Sequence, residues 1–343
     1  MARPDWLPAG QSETSKFPVV GEAGPAPGWN RESFRLGVDG LVERPLQLDF
    51  SALLQLPVSS RSVDIHCVTG WSRRAVGMSG WPLHRVLDLA GVLASAQFVR
   101  FIAHSARGHD TSLPLAIAQR DTWLVHQLDG RELAPEHGGP LRAVTPGRYF
   151  YKSLKWLERI ELLAQDRPGY WERESAYHNQ ADPWREQRFD ESRVAQAAQV
   201  QALREATDFT AHRDRVWIKA RLGGWQPGSR DLSGLQLKYC SLRAARLAGT
   251  LWRGANLSLS NLEGADLAGA RFLDCDLEGA SLAGADLRGV QMDGVALSAT
   301  RFFRDFPGGR RLAARVEGLR IRRAQGLLED QAAFLAAAGV PID

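Results

Sequence analysis

The residue with the clearest chemical potential in this chain is Cys67, which lies in the stretch DIHCVTGWSRR at residues 64–74. The other two cysteines, Cys240 and Cys275, follow more than 170 positions later. A cysteine thiolate is a soft ligand that can hold a metal directly, and the turn-forming and basic residues after Cys67 are typical of a loop that faces an anion. Free cysteines are also among the most buried residues of proteins, so on this residue alone a core position is the better interpretation.

A second stretch with chemical potential is EHGGPLRAVTPGRYFYKSLKW at residues 136–156, which mixes glycines with histidine, arginine and lysine. Glycines allow backbone amides to approach an anion closely, and flanking basic side chains neutralise its charge. The composition fits a ligand that carries a phosphate group. It fits an ordinary basic turn on the surface equally well, so both interpretations stay open on composition alone.

The elements that must position these two stretches are predicted mostly as β-strands. A strand over 63–68 would deliver Cys67 to a loop at 69–71. Residues 1–30, rich in proline and glycine, are predicted as an extended arm. Two strands joined by a turn are predicted between 33 and 48, and further strands over 98–103, 122–127 and 156–163. Helices are predicted over 51–56 and 83–90. A polar connection is predicted over 104–112, and an aromatic closing segment without periodicity near 169–179.

At 343 residues, with 44% hydrophobic and 24% charged residues, the chain has the balance of a soluble globular protein long enough for two domains. Its net charge of +4 is too small to indicate nucleic-acid binding, and its excess of arginine suits fixed contacts to oxyanions. Three widely spaced cysteines form neither a disulfide framework nor a zinc pattern, and no signal peptide or transmembrane run is predicted. We therefore expect a cytoplasmic protein. The sequence contains no GxSxG elbow, HExxH motif, Walker loop or GxGxxG turn after a strand.

The run from Phe17 to about Phe189 resembles the molybdopterin-binding domain of the sulfite oxidase family. It is most similar to the small bacterial branch related to the catalytic subunit of protein-methionine-sulfoxide reductase. The blocks that carry the resemblance are FPV at 17–19, HCVTGWS at 66–72, LPL at 113–115, HGGPLR at 137–142, KSLKW at 152–156, GYWE at 169–172 and DPW at 182–184. Their common order along the chain makes the match specific.

The resemblance implies a mixed α and β, β-rich domain (fold class α+β) that holds one molybdenum-molybdopterin cofactor. Cys67 would be the only protein ligand to the metal, so that sulfur donors leave other metal positions open for oxygen-atom transfer. The segment Ser153-Leu154-Lys155 would bind the cofactor through backbone and ammonium contacts. The full set of cofactor-binding residues implied in this way is His66, Cys67, His137, Arg142, Lys152, Ser153, Leu154 and Lys155.

Two further residues are candidates for catalysis. Arg73 falls one position away from the arginine that binds substrate in sulfite oxidases. His109 stands where the family usually carries a tyrosine beside the metal. A histidine there could donate a proton near neutral pH, or it could show that the original substrate is no longer used.

From Leu232 to Phe302 a large apolar residue recurs at every fifth position, which fits neither a helix of 3.6 residues per turn nor a simple strand. Units such as ADLAG at 265–269 and ADLRG at 285–289 resemble the pentapeptide-repeat family. That resemblance implies a right-handed quadrilateral β-helix of just under four coils, with Cys240 and Cys275 as core residues. Because acidic and basic residues balance over 230–302, DNA mimicry and gyrase binding are disfavoured, and a scaffold or docking surface is expected.

The predicted organisation is an extended arm (1–30), an oxidoreductase domain (31–190), a helical linker (191–229) with its helix over 190–206, a β-solenoid (230–305) and a C-terminal cap (306–343).

The predicted function is oxygen-atom transfer to or from a small sulfite-, sulfoxide- or N-oxide-like substrate. Electrons would come from a separate partner, because the chain has no CxxCH haem motif and no clustered cysteines. The alternative is a non-catalytic assembly protein that uses the solenoid as its interaction surface, for which His109 is the main support.

Overall fold

The computed structural model describes residues 4–19, 25–26, 28–306 and 308–343, and the chain divides into two compact units, residues 1–190 and 191–343. The first unit contains Cys67 and the basic stretch, and the second contains the five-residue repeat. Within the described ranges, no helix has the length and apolar character needed to cross a membrane.

The first unit is rich in β-structure and has four short helices. Its strands are β1 (Ser12–Glu13), β2 (Leu36–Gly40), β3 (Leu46–Leu48), β4 (Ser59–His66), β5 (Trp71–Pro82), β6 (Phe98–Ala103), β7 (Asp110–Pro114), β8 (Trp123–Leu128), β9 (Arg131–Glu132), β10 (Arg142–Val144) and β11 (Leu157–Leu163). Its helices are α1 (Phe50–Leu54), α2 (Leu83–Ala90), α3 (Leu115–Asp121) and α4 (Tyr170–Ser175).

These strands form two sheets that share one hydrophobic core. The six-stranded sheet has the order β1-β5-β8-β10, with β4 paired to β5 and β9 paired to β8, and the five-stranded sheet has the order β3-β2-β11-β6-β7. Burial alternates along β6, as expected for a strand with one face in the core. Trp81 and Leu124 of the first sheet, Phe101 and Ile160 of the second, and Leu87 of α2 all belong to this core.

Sequence periodicity predicted this unit well where burial alternates regularly, since α2 and β6 have their predicted bounds. Three predictions need correction. The polar connection at 104–112 includes the start of β7, because the buried Asp110 is neutralised by Arg100 and its strand pairs with β6. The aromatic segment near 169–179 contains the helix α4. Part of the extended arm is a strand, since β1 pairs in parallel with β5; residues 1–3, 20–24 and 27 of the predicted arm lie outside the described residues.

The second unit consists of short strands stacked at a regular interval. Its strands are β12 (Val216–Ile218), β13 (Gln236–Lys238), β14 (Leu251–Arg253), β15 (Arg271–Leu273), β16 (Gln291–Asp293), β17 (Phe303–Asp305), β18 (Arg311–Ala313) and β19 (Arg320–Arg322). Its helices are α5 (Ala197–Glu205) and α6 (Glu329–Ala337).

One coil of this β-helix uses 20 residues, which is four five-residue units. Trp252 pairs in parallel with Phe272, and Phe272 pairs with Met292. The rings of Trp252 and Phe272 stack at 5.8 Å, and the leucines of the repeat are fully buried. Cys240 and Cys275 lie in the same core, as predicted. The predicted quadrilateral β-helix is therefore confirmed.

The predicted solenoid limits of 230 and 305 are too narrow at both ends. At the start, β12 already stacks on β13, although Pro227 interrupts the five-residue pattern between them. At the end, β16 stacks on β19 with a step of 29 residues, because the antiparallel hairpin β17–β18 is inserted into that coil. An insertion shifts the register of the repeat, so a search for fixed spacing loses the last coil.

The predicted helices of the second unit are also too long. The linker helix covers only 197–205 instead of 190–206. In the C-terminal cap, the helix-like spacing from Leu312 onward is misleading, because Leu312 lies in β18 and Val316 and Leu319 belong to the last coil. Only α6 is helical there. Apolar residues three to five positions apart satisfy either a helix or this coil, and only the stacked neighbours decide between them.

Candidate functional site

Cys67 is the first residue of the turn that joins β4 to β5. The turn is closed by hydrogen bonds from the Gly70 amide to the Cys67 carbonyl (3.0 Å) and from the Cys67 amide to the Trp71 carbonyl (2.8 Å). Gly70 has a φ of 102°, which glycine adopts readily and other residues rarely do. Because β4 and β5 pair along most of their length, two long strands fix the turn from both sides.

The Cys67 side chain is only 6% exposed, yet its surroundings are partly polar. Its Sγ lies 3.1 Å from the hydroxyl of Thr69. Burial raises the pKa of the Cys67 thiol, while the Thr69 hydroxyl and the Arg188 guanidinium act in the opposite direction. A metal that binds this sulfur therefore has to displace a proton, as thiolate coordination requires.

A chain of hydrogen bonds fixes the tautomer of the neighbouring His66. Gln11 Nε2 donates to the Cys67 carbonyl (3.0 Å), so Gln11 Oε1 is left to accept from the Ser72 hydroxyl (3.2 Å). Ser72 Oγ must then accept from His66 Nδ1, 2.8 Å away. Since burial lowers the pKa of His66, its ring is neutral at pH 7 and carries a lone pair on Nε2. This Nε2 is buried and has no partner among the described residues.

The loop 135–141 brings basic side chains close together. Gly138 has a φ of 103°, and a Cβ at this position would approach Lys155 Cα to 2.9 Å and Arg142 Cβ to 3.2 Å. A glycine is thus required for the loop to pack against both residues. The Phe17 ring meets the His137 ring edge-on at 4.9 Å and covers one side of this loop.

The electrostatics of His137 show how closely the cations gather. Burial lowers the pKa of His137, and the positive charges of Arg142, Lys155 and Arg73 lower it further, while Glu136 acts in the opposite direction. His137 is therefore neutral at pH 7 and surrounded by permanent cations. Such a concentration of positive charge next to a glycine-rich loop favours a bound anion.

Arg142 gives the strongest indication of such an anion. Its side chain is 2% exposed, with Nη1 donating to the His137 carbonyl (2.7 Å) and Nη2 to the Ser153 carbonyl (3.3 Å). Among the described residues no carboxylate pairs with it, and its Nε is unpartnered. Burial lowers the pKa of Arg142 to about 9. A buried guanidinium without a counter-ion is costly, and a phosphate would supply both the charge and the missing acceptor.

Lys152 has internal partners in the structure. Its ammonium is fully buried and donates to the Ser112 carbonyl (2.9 Å), the Asn179 side chain (2.9 Å) and the carboxylate of Glu172. Its three donors are thus used within the chain, and cofactor binding by Lys152 stays a prediction. Glu172 is 20 positions away in the chain, and no sequence pattern links the two residues.

The next three predicted binding residues follow Lys152 directly. Ser153 Oγ accepts a hydrogen bond from the Thr145 amide (2.9 Å). The Leu154 side chain is buried in the core, which leaves only its backbone for a ligand. Lys155 Nζ lies 3.3 Å from the Glu136 carbonyl and 4.3 Å from the centroid of the Trp156 ring. Cofactor binding by these three residues stays a prediction.

The two predicted catalytic residues lie in different surroundings. Arg73 pairs with Asp129 (2.5 Å), and its guanidinium lies over the Phe17 ring that covers His137. His109 immediately precedes β7 in the five-stranded sheet, whereas the Cys67 turn belongs to the six-stranded sheet. His109 Nδ1 is 2.7 Å from Ser105 Oγ, and its ring packs at 4.2 Å on Tyr170. A catalytic role for either residue stays a prediction.

Three residues near Cys67 were not predicted from the sequence: Gln11, Tyr149 and Arg188. Arg188 donates to the Val68 carbonyl and lies over the Tyr149 ring at 5.1 Å. Tyr149 is fully buried, and its hydroxyl makes no hydrogen bond of standard geometry among the described residues. Burial raises the pKa of Tyr149, while the Arg188 guanidinium and the nearby Gln11 side chain lower it. An aromatic residue inside the basic stretch could have suggested Tyr149. Gln11 and Arg188 lie in irregular segments, and only the tertiary structure brings them to the turn.

Comparison with known proteins gives this site a context. A family model described as "Oxidoreductase molybdopterin binding domain" matches residues 23–171, and one described as "Pentapeptide repeats" matches eight copies over 240–272 and 260–298. The chain is 40% identical over 185 residues to "Uncharacterized oxidoreductase YuiH" of Bacillus subtilis, covering 53% of this chain and 91% of that protein.

Two further proteins are more distant. The chain is 26% identical over 163 residues to "Protein-methionine-sulfoxide reductase catalytic subunit MsrP" of Campylobacter jejuni, covering 43% of this chain and 54% of that protein. The chain thus spans only about half of MsrP. Among solved structures, the sulfane dehydrogenase SoxCD of Paracoccus pantotrophus matches with a TM-score of 0.39 at 25% identity, over 44% of this chain and 42% of that chain.

The residues at the site fit a molybdenum cofactor. Four buried polar atoms without partners in the described part of the chain belong to the Cys67 turn or to the basic stretch: His66 Nε2, Trp71 Nε1, Arg142 Nε and Tyr149 Oη. Buried polar atoms are normally paired, and a pterin with a phosphate tail offers both donors and acceptors. Together with the family matches, this makes the chain a molybdenum-cofactor oxidoreductase of the sulfite oxidase family that also carries a pentapeptide-repeat β-helix.

Proposed function

We propose that this oxidoreductase transfers an oxygen atom to or from a small substrate of the sulfite, sulfoxide or N-oxide class, with Cys67 as its protein ligand to molybdenum. When bound, the cofactor supplies two-electron redox chemistry at a metal held by sulfur donors. The chain itself has to hold the cofactor, orient the substrate and place proton donors and acceptors. Since the family is that of an oxidoreductase, a purely non-catalytic assembly role is not retained.

The observation that carries the proposal is the buried Arg142 guanidinium, which pairs with no carboxylate in the described part of the chain. We assign Arg142 and Lys155 to the anionic end of the cofactor, because both lie against Gly138 and both side chains carry a positive charge that attracts a phosphate. His137, neutral at pH 7, would add a hydrogen bond. The Ser153 segment would contribute backbone contacts.

Near Cys67, two buried side chains have complementary hydrogen-bonding roles. His66 Nε2 carries a lone pair and can accept a hydrogen bond. Burial raises the pKa of Tyr149, so its hydroxyl stays protonated at pH 7 and can donate one. We assign both to the ligand or substrate atoms beside the metal. Arg73, oriented by Asp129, is proposed as the substrate-facing cation, and His109 is retained as a candidate proton donor.

The substrate to test first is a sulfoxide. The name of MsrP identifies it as the catalytic subunit of a protein-methionine-sulfoxide reductase, and this chain is similar to it over 163 residues. Sulfoxide reduction consumes two electrons and two protons and releases water, so an electron donor is required. We propose that a separate protein supplies these electrons and that the β-helix serves as a docking surface. A cytoplasmic location likewise stays a prediction.

Metal and pterin analysis of the purified protein tests this proposal directly. The full chain is produced in a host that makes the cofactor, and molybdenum is measured per chain. We expect close to one equivalent of molybdenum. A chemical donor should reduce the protein, and a sulfoxide or an N-oxide should reoxidise it. In the opposite direction, sulfite should reduce the oxidised protein. A content below about a tenth of an equivalent would contradict the proposal, since a site of this kind binds tightly.

The docking role needs a separate experiment. Affinity capture from the native extract compares the full chain with a variant that ends at residue 190, the boundary between the two compact units. A cut at this point removes the whole stacked region, which begins at β12. We expect a redox protein to be captured by the full chain and lost with the shorter variant. Equal capture by both would assign the docking surface to the first unit.

A further inference from the structure

The turn that carries Cys67 is held by contacts from outside the two strands it connects. The Cys67 carbonyl accepts from Gln11 Nε2 (3.0 Å), and the Gly70 carbonyl accepts from the Ser12 amide (2.8 Å). The Val68 carbonyl accepts from the Arg188 guanidinium. Three of the four carbonyls of the turn are thus bound by segments that are remote in sequence.

These remote segments are also joined to each other. Arg188 Nη2 donates to the Gly10 carbonyl (3.0 Å) and lies 3.3 Å from the Ala9 carbonyl. The arm that carries Gln11 is therefore fixed by the same guanidinium that holds Val68. Both residues lie outside the stretch 23–171 that matches the oxidoreductase domain. The matched stretch contains the two strands that flank the cysteine turn, but not the side chains that bind the carbonyls of Cys67 and Val68 from outside.

The Gln11 side chain is specific in its chemistry. It is 9% exposed, and its amide donates to Cys67 and accepts from Ser72 at the same time. Only a primary amide offers both functions at this length. A carboxylate would keep the acceptor for Ser72 but place an oxygen against the Cys67 carbonyl, and an aliphatic side chain would leave both partners without a bond.

We propose that Gln11 is a positioning residue, which acts with Arg188 to hold the Cys67 turn in the geometry that binds molybdenum. This inference rests on the proposed function, in which Cys67 is the metal ligand. In this role Gln11 acts through its hydrogen bonds and not as a metal ligand. It fixes the carbonyl of Cys67 itself and, through Ser72, the orientation of the His66 ring. The geometry of the turn and the orientation of the His66 ring therefore both depend on the side-chain amide of Gln11.

The experiment uses the full chain from a cofactor-producing host, with the variants Gln11→Leu and Gln11→Glu. The exposed Gln55, changed to leucine, is the matched control. We expect both Gln11 variants to lose at least about tenfold in turnover, because small misplacements at a reacting centre are costly. We also expect a changed Mo(V) electron paramagnetic resonance spectrum at a molybdenum content near that of the unmodified chain. A merely structural role would not alter this spectrum.

A second measurement does not depend on the metal. In metal-free protein, alkylation of Cys67 by iodoacetamide is followed by peptide mass spectrometry, and we expect it to be about tenfold faster in both Gln11 variants because the turn is released. This measurement decides the question if Gln11→Leu fails to bind molybdenum. A spectrum, turnover and labelling rate equal to those of the Gln55→Leu control would overturn the inference.

The variant Cys67→Ser separates this inference from the proposed function. If Cys67→Ser retains the Mo(V) spectrum and turnover, the proposed metal ligand is wrong, and the role of Gln11 falls with it. If Cys67→Ser loses both while the Gln11 variants keep both, the metal ligand stands and only the positioning role is rejected.

Discussion

The three cysteines of this chain show how differently its two units use buried residues. Cys67, Cys240 and Cys275 are all buried, and burial raises the pKa of each thiol. Cys240 and Cys275 are held by the repeat itself, with Sγ against the carbonyls of Trp217 (3.1 Å) and Trp252 (3.2 Å). These thiols fill space in a stack of coils.

Cys67 lies instead among side chains that interact with one another and leave polar atoms unpaired. Among the described residues, His66 Nε2, Tyr149 Oη and Arg142 Nε are buried without hydrogen-bond partners. A repeat that folds by stacking satisfies its polar groups with the next coil, whereas a cofactor site keeps groups ready for a molecule that is not part of the chain. Burial alone therefore does not distinguish a structural cysteine from a reactive one.

Exchanging sulfur for oxygen in each unit tests the comparison most severely. We expect Cys67→Ser to lower turnover about a thousandfold or more, because it removes part of the reacting centre, while leaving the melting temperature nearly unchanged. Cys275→Ser should keep normal turnover and change stability by about 1 kcal/mol or less, since a hydroxyl can also donate to the Trp252 carbonyl. Turnover and thermal unfolding are measured on both variants. Normal turnover in Cys67→Ser would show that Cys67, like Cys240 and Cys275, is a structural residue.

The buried ion pair of the first unit can be set against an exposed pair of the second. Lys152→Met removes the Lys152 cation from the buried Glu172 carboxylate, and we expect a loss of about 3–5 kcal/mol in the free energy of unfolding. Lys219→Met, which breaks the exposed pair with Glu191, should cost less than about 1 kcal/mol. Urea unfolding of both variants gives the values. Equal losses would show that Lys152 contributes no more than a surface residue.

Arg142 is buried like Lys152 but pairs with no carboxylate among the described residues, so its removal should affect binding more than folding. We expect Arg142→Met to reduce the affinity for the cofactor about tenfold or more, with a folded metal-free protein, because charge-assisted hydrogen bonds to the phosphate are lost. Arg148→Met in the same stretch is the control, since Arg148 is partly exposed and donates to the Gln180 carbonyl. Molybdenum content after gel filtration is the measurement. Full retention of molybdenum in Arg142→Met would exclude a phosphate contact.

The smallest expected effect concerns pH. His66, His126 and His137, all in the first unit, have pKa values lowered by burial, so they stay neutral in the folded protein. Unfolded chains protonate histidine near pH 6.5, and below this pH the unfolded state binds protons that the folded state does not. The stability of the metal-free protein is therefore complete above pH 6.5 and falls as the pH decreases towards 5.

Urea unfolding at pH 7.5 and 5.5 measures this dependence, and we expect a decrease of about 1 kcal/mol or more. His126→Gln should reduce the decrease without affecting the cofactor site. The second unit contains a single histidine, His212, so the acid-sensitive transition should belong to the first unit. Greater stability at pH 5.5 than at pH 7.5 would contradict the assignment.

Residue spacing was enough to predict the β-helix, and residue type was enough to single out Cys67 and the basic stretch as candidates for the chemistry. A five-residue period is a local property, and each coil touches only its neighbours, so spacing was enough to predict the leucine core and the inward Cys240 and Cys275. The prediction failed only where Pro227 and the hairpin β17–β18 change the register. In the first unit, Cys67 and the glycine-rich basic stretch stood out because their residue types are unusual together.

The side chains that surround this turn could be identified only in the folded chain. Gln11 and Arg188, in irregular segments, bind the carbonyls of Cys67 and Val68 from 56 and 120 positions away, and Glu172 pairs with Lys152. Arg142 indicates an anion site only because the described residues provide no carboxylate to pair with its guanidinium. Hydrogen bonds and ion pairs between distant irregular segments follow no period and need no particular spacing. They form where the two folded sheets and the arm bring backbone and side chains together, and that arrangement exists only in three dimensions.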